Sequence, residues 1–178
     1  MVTSGGLVYI HSAPQALLAH IEWTLSGISG SPQKMTWVKS VIGSSQSQAV
    51  SYWSGKQGDG AILASALMNL KQISFEITQV PSGDSEGYRW SYTPTLGIFS
   101  SITDSAGNIL VSENQLRLAM EKAGSNSLIL NRELRKLLGQ EFDDELEESR
   151  GAALLIAAEG DNSVMASETK RVANSQEV

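Results

Sequence analysis

The sequence predicts an α+β chain with a ferredoxin-like split βαβ core (βαββαβ), extended by further antiparallel strands and C-terminal helices. Three observations predict it. Short runs rich in β-branched and aromatic residues alternate with segments whose leucines and isoleucines recur at helical spacing. Two of those runs are separated only by the Gly-Ser-rich "GSSQS", the spacing of a hairpin. The last run of the core, "ISFEITQV", places Ile73, Phe75 and Ile77 against Ser74, Glu76 and Thr78, the alternation of a half-buried strand.

The elements follow in order. "LVYIHS" (7–12) reads as a buried strand, and Ser12-Ala13-Pro14 as a helix start with Ser as N-cap and Pro in the first turn. Leu17, Leu18, Ile21, Leu25 and Ile28 then mark a helix closed by Gly27 or Gly30. "KMTWVKSVI" and "QAVSYWSG" form the hairpin, and residues 60–71 a second helix with Leu63, Leu67 and Leu70 inward. Past the core, "EGYRWSYTP", "LGIFSSITD" and "GNILVS" read as strands that extend the sheet, cover its open face or make a second sheet. Ser112 with Gln115 is a capping box for "ENQLRLAMEKAG". "SNSLILNRELRKLLGQ" is the next helix, stopped at Gly139, and "EFDDELEESR" continues as a short exposed one.

Length and composition suit one domain. The 178 residues, 41% hydrophobic, can bury a core, and the reading is a domain over residues 1–159 with its core at 6–80 and its extension at 86–150. "GAALLIAA" (151–158) reads equally as a docking strand or a helix, and residues 160–178 as a disordered polar tail. No apolar run is long enough for a membrane span, and the N-terminus lacks the pattern of a secretory signal. The absence of cysteine excludes disulfides and thiolate chemistry and fits a cytoplasmic location.

Charge narrows the function classes. The net charge is −6, with a balance of +1 over residues 1–139 and −7 over residues 140–178. No basic patch is visible, so nucleic-acid binding is not expected. An acidic segment of this kind is solvated or directed at a partner.

The chemistry-bearing stretches are few. "SGKQGDGA" (54–61) has three glycines and Lys56 before a helix, but neither the order of a P-loop nor that of a dinucleotide fingerprint. It reads mainly as a turn in which Gly55 and Gly58 take positive φ and Asp59 caps the helix. A helix N-terminus still receives anions, which leaves a phosphate site open there. The two histidines, His11 and His20, are too few for a zinc set, and no elbow motif supports a serine triad. Tyr88, Trp90 and Tyr92 alternate on one strand face, as core or interface aromatics do. "YTPTLG" (92–97) reads as a corner. "EFDDELEE" (141–148) carries six carboxylates in eight residues, the mark of a solvated face or a docking surface for a basic partner.

The stretches "LVYIHSAPQALLAHIEWTLSGI", "GAILASAL", "SYTPTLGIFSSITDSAGNILVSENQLRLAM" and "LLGQEFDDELE" together resemble an actinobacterial family, domain-of-unknown-function family 3145, over roughly residues 6–150. The resemblance implies a cytoplasmic actinobacterial protein, with partners in acyl-CoA carboxylation or fatty-acid synthesis. It implies no reaction, cofactor or catalytic residue.

The expected function is therefore a non-catalytic accessory or regulatory protein that binds an acyl-CoA carboxylase or fatty-acid synthase component. No cofactor, metal or membrane insertion is expected. Asp143, Asp144, Glu145, Glu147 and Glu148 form the expected docking surface, with Phe142 and Leu146 as apolar anchors. The alternative is a nucleotide- or CoA-like small-molecule binder or enzyme, with a site between His11-Ser12 and the loop carrying Lys56, Gly58 and Gly60.

Overall fold

A computed structural model of the chain describes residues 3–150, except residues 42, 44 and 84. The reading of residues 151–178 as a docking element and a tail lies outside the described residues. Six strands, β1 (Thr3–Pro14), β2 (Val38–Lys39), β3 (Gln46–Lys56), β4 (Ser74–Gln79), β5 (Gly87–Thr93) and β6 (Gly97–Thr103), form one antiparallel sheet. Its order is β2-β3-β1-β4-β5-β6. With helix α1 (Leu18–Ser29) between β1 and β2, and α2 (Asp59–Met68) between β3 and β4, the first four strands have the split βαβ topology. β5 and β6 extend that sheet at the β4 edge. Helices α3 (Glu113–Ala123) and α4 (Ser127–Leu137) follow, and a fifth helix, α5, occupies residues 140–150. No helix among the described residues is long and apolar enough to cross a membrane.

Alternation divides the sheet into two faces. Val8, Ile10, Ala49, Trp53, Phe75, Ile77 and Tyr92 lie on the face under α1 and α2, and with Ile21, Leu25, Leu63 and Leu67 they make the main core. Tyr92 stacks on Phe75 at 5.4 Å, so this end of the aromatic row on β5 is core. The strands approach closely at Gly6, where an added Cβ would lie 1.9 Å from the Thr78 carbonyl oxygen. Only glycine fits between β1 and β4 there.

Several boundaries differ from those the sequence suggests, each for a physical reason. β1 runs through Ser12 to Pro14, with a bulge after Ile10. Ser12 therefore caps no helix, and a short 3-10 turn, Gln15–Leu17, precedes α1. Gly30, at φ 68°, ends α1, and Gly27 lies inside it. β2 is two residues long because the stretch before it is tied to α1. The buried Glu22 carboxylate accepts from Lys34 Nζ (2.8 Å), the Met35 amide (3.0 Å) and Trp37 Nε1 (3.1 Å). The hydrogen bond from Lys34, together with those from Met35 and Trp37, holds its carboxyl below the ordinary value against the effect of burial. In the Gly-rich loop, Gly58 takes positive φ (92°) while Gly55 belongs to β3. Asp59 is the first residue of α2, behind Gly58 as N-cap, and its Oδ2 accepts from the Lys56 amide at 2.6 Å.

The largest departure concerns "EFDDELEESR". It is not a free exposed helix: Phe142, Leu146 and Ser149, at i, i+4 and i+7, are buried, on one side of α5. Phe142 meets Phe99 of β6 at 5.7 Å, and Ser149 meets Tyr9 and His11 of β1. α5 thus crosses the sheet face opposite α1 and α2, and the central sheet lies between two helical layers.

Candidate functional site

Beneath α5 lies a buried polar cluster assembled from distant parts of the chain. Glu76, on the face that alternation assigns to solvent, is 8% exposed. Its Oε1 accepts from Arg89 Nε (3.1 Å) and Nη2 (2.5 Å), from Ser91 Oγ (3.0 Å) and from Arg150 Nη2 (2.6 Å). Its Oε2 accepts from Arg150 Nε at 2.8 Å and lies 3.0 Å from His11 Nε2. Both guanidiniums also donate to Asp143 Oδ1, at 2.5 and 2.6 Å. β4, β5 and α5 each supply charge, so the cluster exists only when all three are docked.

The electrostatics follow from that arrangement. Within the cluster two carboxylates face two guanidiniums, and a third, Glu147, meets Arg150 from the solvent side, so no buried counter-charge is left for a protonated imidazole. Burial pushes His11 below its ordinary value, against the opposing hydrogen bond to Glu76. Burial alone would raise the Glu76 carboxyl. The hydrogen bonds from His11 and Arg150 and the charge of Arg89 outweigh it and hold the carboxyl well below the usual carboxylate range. Arg150 is desolvated too, yet Glu76 and Asp143 raise its pKa further.

Ser149, His11 and Glu76 form a line that contains the residue types of an acyl-transfer triad. Ser149 Oγ lies 2.6 Å from His11 Nδ1, and His11 Nε2 lies 3.0 Å from Glu76. The geometry is that of a lock. Ser149 and His11 are fully buried, Ser149 Oγ lies 2.7 Å from the Leu146 carbonyl oxygen, and Glu76 is saturated by arginine. Tyr9 adds a bond of 2.6 Å from its hydroxyl to the Ser149 carbonyl. No substrate reaches a nucleophile here, and the arrangement fixes α5 to the sheet.

The structure separates the other residues singled out in the sequence. His11 and Ser12 are buried on the central strand, whereas Lys56 is paired with Thr3 at the far end of β1. Eight residues of strand, roughly 25 Å, lie between them, so His11, Ser12, Lys56, Gly58 and Gly60 make no common site. His20 is exposed on α1, 5.5 Å from the ring of Trp23. No group of three or more His, Asp or Glu side chains is placed to hold a metal ion among the described residues. In the acidic segment, Phe142 and Leu146 are packed inward and provide no exposed anchors. Asp143 belongs to the buried cluster, Asp144 pairs with Arg135 (2.7 Å) and Glu147 with Arg150 (3.2 Å). Glu145 and Glu148 are exposed on the outer side of α5.

A second feature is the α3–α4 hairpin. Its capping box is present as read, with Ser112 and Gln115 bonded reciprocally, and Asn126 caps α4. The two helices pack mainly on each other, and only Ala119 and Ala123 are buried within them. Leu118 (56%), Met120 (63%) and Leu128 (81%) are largely exposed. Alternating charge in this segment conceals these residues in a sequence reading, although apolar residues in excess of one helix face were a signal.

The model of one family, described as Protein of unknown function (DUF3145), matches residues 7–158. No curated protein and no solved structure matches the chain.

Proposed function

Because the chain belongs to the DUF3145 family, whose description carries no reaction, we propose from its surface that it is a non-catalytic accessory protein that holds a protein partner. The observation that carries this reading is the α3–α4 hairpin, which stands on its own two-helix packing and exposes Leu118, Met120 and Leu128. Leu116 and Met120, four residues apart and therefore on one side of α3, are both exposed, and large apolar side chains gathered on one exposed face mark interaction surfaces. The Arg135–Asp144 pair links the hairpin to α5, whose outer acids Glu145 and Glu148 place negative charge beside it. The partner therefore presents an apolar centre, with basic residues where its rim meets Glu145 and Glu148 of α5. Components of acyl-CoA carboxylation or fatty-acid synthesis, the partners that the family resemblance implies for a cytoplasmic actinobacterial protein, are the ones to try first.

The test mixes the full chain with purified acyl-CoA carboxylase and fatty-acid synthase components and reads complex formation by analytical ultracentrifugation. A parallel pull-down from the native host is read by mass spectrometry. The expected result is a stoichiometric complex that Leu118→Glu with Met120→Glu abolishes at unchanged melting temperature, and that added salt weakens. A chain that sediments alone in every mixture and returns alone from the host overturns the proposal. A nucleotide- or CoA-like ligand at the Gly55–Gly60 loop finds less support, because the Asp59 carboxylate already answers the start of α2.

A further inference from the structure

On the α2 side of the sheet, remote from the cluster under α5, lies a cavity of about 570 Å³ between the start of α2 and β5. Gln57, Gly58, Gln79, Glu86, Tyr88 and Trp90 line it, with Ala61 and Ser85. Gln79 is 6% exposed, and its Oε1 has no hydrogen-bond partner. That oxygen rests against the first turn of α2: a Cβ at Gly60 would lie 2.6 Å from it and 3.0 Å from Trp90 Cζ3. That buried oxygen is left unpaired beside the cavity, and a turn of the amide would bring it to a donor held there.

The rest of the lining defines that donor. Gln57 commits its amide nitrogen to Ser85 Oγ at 2.6 Å, which leaves its carbonyl oxygen to accept. Tyr88 and Trp90 stack at 5.5 Å with an 18° interplanar angle and offer their π systems. Glu86 contributes a carboxylate, and no lysine or arginine lines the cavity among the described residues. The start of a helix ordinarily draws an anion. Here Asp59 occupies the first position and bonds the Lys56 amide, and Glu86 would repel a phosphate. Acceptors, aromatic faces and one carboxylate together suit a cation rich in N–H donors.

We propose that this cavity binds an alkylammonium group, carried by a free amine or by a lysine side chain of another protein. The soft terminal torsion of Gln79 lets its oxygen swing from Gly60 to the ammonium. Glu86 supplies the counter-charge, and the methylene stem lies along Tyr88 and Trp90. The site is separate from the α3–α4 surface, so either proposal can fail without the other.

The experiment titrates the full-length ¹⁵N-labelled chain with n-butylammonium, with the neutral analogue n-butanol, and with Nα-acetyl-lysine N-methylamide, following the indole N–H signal of Trp90. The expected result is a saturable shift with both amines and binding of n-butanol weaker on the order of tenfold. Glu86→Gln, at an exposed position that leaves the fold intact, and Gln79→Leu should each weaken the amines on the order of tenfold. Tighter binding of the lysine derivative than of butylammonium assigns the site to a lysine side chain, and equal affinity assigns it to a free amine. No saturable shift up to about 50 mM, equal binding of n-butanol, or indifference to both substitutions overturns the proposal.

Discussion

Glu76 is the residue on which the most interactions converge. Four side chains, His11, Arg89, Ser91 and Arg150, address one carboxylate. Glu76→Gln would leave the two guanidiniums with Asp143 as their one partly buried carboxylate and Glu147 at the exposed side of Arg150, and we expect a loss of about 3–5 kcal/mol in urea unfolding. A loss below about 1 kcal/mol would mean that the cluster does not hold the layers together. The same residues set the acid response. His11 has a lowered pKa in the folded chain, so below its ordinary value of about 6.5 the unfolded chain binds the extra proton first, and stability falls with pH. The depressed Glu76 carboxyl acts in the same direction: its contribution is complete above the unfolded value of about 4.5 and is lost as pH falls further. Chemical denaturation from about pH 7 to about pH 2.5 should show both phases, and His11→Gln should remove the first while keeping the second. None of this is legible in the sequence, where Glu76 occupies the polar side of a half-buried strand and nothing in residues 7–12 or 86–94 sets His11 or Arg89 against it.

At the scale of elements, the βαββαβ order is legible because each strand and helix of the core declares itself through its own periodicity. Boundaries are less so. The shortening of β2 depends on the Glu22 carboxylate twelve to fifteen residues away, and the length of β1 on pairing with two neighbours. The fifth helix is the instructive case: six acids drew attention to charge, while Phe142, Leu146 and Ser149 carry the packing. Leu146→Ala, at a position 1% exposed, should cost about 2–5 kcal/mol. Glu148→Ala, on the outer side, should stay within about 0.5 kcal/mol. Thermal melts of the two variants side by side check the orientation of α5, and a reversed order would refute it.

The whole molecule is a sheet that needs both of its layers. His11 and Ser149 are 138 residues apart in sequence, and no local pattern announces that the end of the described chain closes over its first strand. A chain ending at Gly139 would expose Tyr9, His11, Glu76 and Phe99 together. We expect it to lose cooperative unfolding, the behaviour of a layer without its cover. A sharp two-state transition in that shortened chain would show that α5 is dispensable. The hairpin α3–α4, by contrast, contributes little to the core, which is why its substitutions are expected to leave the melting temperature alone.

Synthesis from the N-terminus gives this architecture a temporal side. Domains emerge from the ribosome at roughly 5–20 residues per second, so for several seconds a nascent chain holds a complete sheet whose second face is still bare. That face displays histidine, glutamate, arginine and serine at its centre rather than valine and leucine. A half-made molecule is therefore wettable where a half-made apolar sandwich would be sticky. The ion cluster that later locks α5 in place would first act as a guard against premature association among growing chains.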